Sequence, residues 1–82
     1  MALYSVETKK GPEEIVAKAK AFFGEGEDGL GLSVSAENPC CVTFIGGGGH
    51  VSVTASEGED RTEVTLETRE WDHQVKTFMR RV

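Results

Sequence analysis

Positive charge is scarce in this chain: 9 lysines and arginines stand against 14 aspartates and glutamates, a formal net charge of -5 at pH 7. Phosphate binding relies on clustered Lys and Arg, so the balance argues against a nucleic-acid partner. No polybasic segment is present that could dock on anionic lipid. Long apolar runs are missing as well. None approaches the ~18 residues a membrane helix needs, and the opening stretch Met1 to Glu7 has neither the basic nor the apolar region of a secretory signal. A cytoplasmic protein is the expectation. Cysteine is confined to one adjacent pair, Cys40 and Cys41. Two neighbours in a strand point to opposite faces, so no bridge between them is expected, and neither a CxxC spacing nor a disulfide framework exists. That usage suits a reducing compartment. Catalytic and cofactor fingerprints are absent too, and no cofactor is expected.

What is present is the composition of an ordinary folded domain, with 38% hydrophobic and 28% charged residues over 82 positions. Residues 1–82 read as a single domain. Its centre is a hairpin signal: Cys40 to Ile45 and His50 to Ser56 are strand-forming runs joined by the four glycines Gly46 to Gly49. β-Branched and aromatic residues suit a pleated surface, and glycine supplies the positive φ that a tight turn demands. Val51, Val53 and Ala55 are expected inside on the second strand, Val42 and Phe44 on the first.

The rest of the chain attaches to that pair. Leu3 to Lys9 reads as a strand with Tyr4 and Val6 on one face. A helix follows from Pro12, with Glu13 and Glu14 at its positive end, an apolar stripe of Ile15, Val16, Ala19, Phe22 and Phe23, and Gly24 as its stop. Leu30, Leu32, Val34 and Ala36 alternate with small or polar residues and predict a half-buried strand. Val64 and Leu66 point inward from a strand over Arg61 to Arg69. Trp71, Val75, Phe78, Met79 and Val82 fall at i, i+4, i+7, i+8 and i+11, the period of a C-terminal helix.

The order β-α-β-β-β-β-α, with one apolar face per strand, calls for an α+β fold. Both helices should cover one side of a five-stranded antiparallel sheet in the order 1-5-4-3-2. This layout resembles the TBP-like and helix-grip class, which includes the START and Bet v 1-type folds, through the number and order of elements. The resemblance implies a cleft between the last helix and the sheet. Tyr4, Phe44, Trp71, Val75 and Phe78 are the residues expected to line it, for a small apolar ligand or a protein partner.

A non-enzymatic binding or interaction module is therefore the leading functional expectation. Two alternatives stand beside it. One is a small metal-dependent or acid-base enzyme using His50 and His73 with a carboxylate such as Asp72 or Asp28, although no HxxxH or D-x-D-x-D-G spacing supports it. The other is a structural homodimer, so the chain is expected as a monomer or a homodimer. The glycine run lacks the Lys-Ser/Thr of a phosphate loop and joins two strands, which makes it a hairpin tip. The aromatic set of Phe22, Phe23, Trp71 and Phe78 serves either as core or as the wall of a ligand cleft.

Overall fold

The computed structural model describes residues 2–27 and 29–82. Seven elements follow one another: β1 (Ala2–Thr8), α1 (Pro12–Phe23), β2 (Ser33–Asn38), β3 (Cys41–Gly46), β4 (Gly49–Glu57), β5 (Thr62–Arg69) and α2 (Asp72–Met79). The strands form one sheet in the order β1-β5-β4-β3-β2, and every neighbouring pair is antiparallel. This is the α+β architecture that the alternation predicts.

Register fixes which residues share a face. Tyr4, Leu66, Val53 and Val42 line up across β1, β5, β4 and β3, and Val6, Val64 and Ala55 form the next row. Both rows lie under the helices. α1 packs on β3 and β4, whereas α2 packs on β5 and β1. The core between them is continuous, and Ile15, Phe23, Phe44, Val64, Leu66 and Val75 all stand at 0% exposure. Thr68 is equally buried, and its hydroxyl donates to the His50 carbonyl at 2.9 Å, so no buried polar group is left unmet there.

The central turn is tight. Gly46 pairs with Gly49, leaving Gly47 and Gly48 as a two-residue connection with φ of 56° and 79°. Positive φ at both central positions is the turn whose twist matches a hairpin, and glycine reaches it without steric cost.

Three expectations need correction. The segment Leu30 to Ala36 is not a half-buried strand. Only Leu32 is buried, at 1% exposure, while Leu30 and Val34 stand at 40% and 44%. All six residues of β2 are exposed, because it is the sheet edge and α1 packs chiefly on β3 and β4. A bulge adds to this: Val34 pairs with Phe44 but Ala36 with Thr43, so Ser35 is the extra residue. The bulge turns Ala36 to the open face and Glu37 to the helix side, where it meets Lys20 at 3.0 Å.

The second correction concerns the cysteines. Cys40 and Cys41 are joined in a disulfide. Strand alternation does not govern the pair, because β3 begins at Cys41 and Cys40 belongs to the turn before it. The terminal helix is also shorter than its apolar period: it stops at Met79, and Arg80 and Arg81 continue as a turn bonded back to Thr77 and Phe78.

Candidate functional site

The residues expected to line a cleft under α2 pack within the chain instead. Phe44 and Val75 are fully buried, and Phe78 is 1% exposed. Tyr4 and Trp71 are half-buried, and each spends its polar tip on a tie. The Tyr4 hydroxyl donates to Asp72 Oδ2 at 2.7 Å, linking edge strand β1 to the start of α2. Trp71 Nε1 donates to the Gly46 carbonyl at 3.0 Å, linking the same helix start to the β3–β4 hairpin. The space between α2 and the sheet is thus filled by the chain's own side chains.

The Tyr4 tie has an electrostatic signature. Its phenol is held above the ordinary tyrosine value, first by the hydrogen bond to Asp72, then by partial burial and by the negative charge of that carboxylate. The bond needs the protonated phenol. It is therefore complete below the usual tyrosine pKa of about 10 and is lost as pH rises through the raised folded value. The chain has one tyrosine, so phenolate absorbance reports this group alone. A native-state titration is expected to show a midpoint above that of the unfolded chain, and Asp72→Asn is expected to move it back down. An unshifted midpoint in the wild type would remove the tie.

The two histidines do not meet. His50 shares the open face of the sheet with Ser52 and Thr54, and its Nε2 lies 3.3 Å from Glu67 Oε1. His73 is exposed on α2, which covers the other face. Their grouping as a metal or acid-base pair is corrected by this separation across the sheet. Asp72 is engaged by Tyr4, and Asp28 lies outside the described residues. Among the described residues no cluster of three or more His, Cys, Asp or Glu side chains could hold a metal ion.

A surface cleft does adjoin α2, one layer further out. Lys18, Ala21, Phe22, Phe78, Arg81 and Val82 line a cavity of about 230 Å³ between the two helices. Its floor is aromatic: the Phe22 and Phe78 ring centroids are 5.6 Å apart. Its rim is cationic, and the Arg81 guanidinium stands over the Phe22 ring, 5.1 Å from the centroid. No acidic side chain is among its lining residues, in a chain where acids outnumber bases. Two larger recesses differ in character. The first, of about 460 Å³, includes both Lys20 and Glu37, which pair with each other. The other, of about 510 Å³, is lined by Glu13, Glu14 and Glu57 beside Cys40.

Phe22 and Phe78 belong to the aromatic set that the sequence offers as core or cleft wall, but Lys18 and Arg81 are missed by a search for apolar stripes. Their signal is spacing. Lys18 precedes Phe22 by four residues and Arg81 follows Phe78 by three, which puts each cation beside a ring at the border of an apolar face. In comparisons with protein families, curated proteins and solved structures, the chain matches none of them.

Proposed function

We propose that this protein is a non-enzymatic binding module that seats a small apolar carboxylate between its two helices. The observation that carries the reading is the charge of the cleft. Aromatic and aliphatic walls with Lys18 and Arg81 at the rim suit a ligand with an apolar body and one anionic end. Guanidinium binds carboxylate bidentately and ammonium adds a point charge, so the acid group is oriented while the rings take the apolar part. At about 230 Å³ the cavity is smaller than the ~300–1,000 Å³ of drug-sized sites, which limits the guest to one ring or a short chain.

The reading is tested by titrating isotope-labelled protein with phenylacetate and octanoate, each run beside its neutral amide. Chemical-shift changes are expected at Ala21, Phe22, Phe78 and Val82, with the acids binding more tightly than the amides. The double variant Lys18→Gln, Arg81→Gln should weaken the acids about tenfold, the ~1.4 kcal/mol scale of one charge-assisted contact, and leave the amides unchanged. Equal affinity of acid and amide, or shifts confined to the open face of the sheet, would remove the proposal.

A further inference from the structure

The disulfide at the β2–β3 turn is used neither by the core nor by the helix cleft. Asn38 pairs with Cys41, so Pro39 and Cys40 form a two-residue connection, and Cys40 at its end is bonded through sulfur to Cys41, the first residue of β3. A disulfide stabilises chiefly by closing a loop of the unfolded chain, and the gain grows with the length of that loop. A bridge between neighbours closes no such loop and ties no second element to the turn. Stability therefore leaves its presence unexplained.

The turn is held without it. Asn38 Oδ1 accepts the Cys40 N–H at 3.1 Å, and the Cys40 carbonyl accepts the Ala55 N–H at 2.9 Å. Both bonds belong to the backbone of Cys40 and survive opening of the bridge. Asn38 Oδ1 also lies 3.1 Å from Cys40 Sγ. A disulfide sulfur has no hydrogen to donate, whereas a thiol does, so the acceptor for a reduced Cys40 is already in place. Both cysteines are half-buried rather than enclosed, which leaves the pair open to an external reactant.

The two sulfurs face different surroundings. Cys40 borders the recess lined by Glu13, Glu14 and Glu57, whose carboxylates repel an incoming thiolate. Cys41 stands at the start of β3 between Asn38 and Thr54, both uncharged. We propose that Cys40–Cys41 is a reversible two-electron exchange site whose co-reactant is a dithiol attacking at Cys41 Sγ. In the first step a donor thiolate bonds to Cys41 Sγ, the Cys40–Cys41 bond breaks, and the electron pair goes to Cys40 Sγ, which takes a proton. The donor's second thiolate then attacks its own sulfur in the mixed disulfide. Cys41 Sγ leaves with that electron pair and takes a second proton, and the donor departs as its internal disulfide. Two electrons and two protons enter the chain, and re-oxidation runs the same steps backward.

The test uses the wild-type protein purified without reductant and labelled with iodoacetamide under native conditions, followed by intact mass. No label is expected before dithiothreitol and two labels after it, with tryptophan fluorescence unchanged, and reduced protein freed of the dithiol and left in air before labelling should again take none. Brief exposure to glutathione, quenched with iodoacetamide to cap the released thiol, should place the adduct on Cys41 over Cys40 by about tenfold, as expected if charge directs the attack. A CxxC-type protein dithiol run in parallel separates two sources of one chemistry: faster opening by it assigns a protein donor, and opening by dithiothreitol alone assigns a small one. Two labels without reductant, a bridge that opens only after denaturation, or an adduct on Cys40 would each overturn the proposal.

Discussion

Phe23→Ala is expected to lower the free energy of unfolding by about 3–5 kcal/mol and the melting temperature by roughly 20 °C. Phe23 is fully buried at the end of α1 and is the ring on which the other aromatics converge. Its centroid lies 4.9 Å from that of Phe22, 5.3 Å from Phe78 and 5.5 Å from Phe44. These partners come from both helices and from β3, so truncation opens a void where three elements meet. Interiors are close-packed and relax only in part, which adds a cavity cost to the lost transfer energy. A domain of this size holds only ~5–10 kcal/mol in total, so the variant should sit near its folding threshold at 37 °C. Urea denaturation with tryptophan fluorescence measures the effect. Leu3→Ala serves as the contrast, because Leu3 is 70% exposed on the open face and its loss should stay within about 0.5 kcal/mol. Equal losses for the two variants would show that α1 does not carry the core.

The dominance of Phe23 marks how far the sequence could be read. Alternation in Val51, Val53, Val64 and Leu66 and the helical spacing of Ile15, Ala19 and Phe23 gave element type, order and inward face, because each pattern reports a local periodicity. Coverage is not local. Leu30, Val34 and Ala36 alternate as well as the others, yet they lie on or before an edge strand that α1, centred on β3 and β4, leaves uncovered, and the bulge at Ser35 shifts the phase without any residue that announces it. The cysteine pair departs from strand alternation for a related reason: the strand begins one residue later than its apolar run, which leaves Cys40 in the turn. In the site, the stripe of α2 correctly marks the residues that meet the protein: Val75 is sealed beneath the helix, whereas Phe78 and Val82 at the far end of the same stripe also border the outer cleft. The cleft is bordered by residues one step off the stripe, Lys18 and Arg81, whose charge hides them from an apolar search.

Gly49→Ala is the second change with a large expected effect, a loss at the upper end of the roughly 1–3 kcal/mol range for overpacking. A Cβ at Gly49 would fall 2.0 Å from the Arg69 carbonyl oxygen and 2.8 Å from the Glu70 Cβ. The nearest obstacle is backbone, so no rotamer change relieves it. Glu70 compounds the problem: at φ 76° it is the one described non-glycine residue in the left-handed region, and its side chain occupies room that the missing Cβ leaves. Relief requires β4 to part from β5 at the point where the chain turns into α2. That corner also holds the Trp71 tie to Gly46, so the single tryptophan should redden in emission as the melting temperature falls. Gly26→Ala is the control, since a Cβ there meets nothing within 4 Å and its φ is unexceptional. The comparison separates close approach from the general entropic benefit of replacing glycine, which is stabilising by ~0.4–1 kcal/mol where space and φ permit. An unchanged melting temperature for Gly49→Ala would mean that β4 and β5 are further apart at this corner than the fold requires, and the seating of α2 by Trp71 would fall with it.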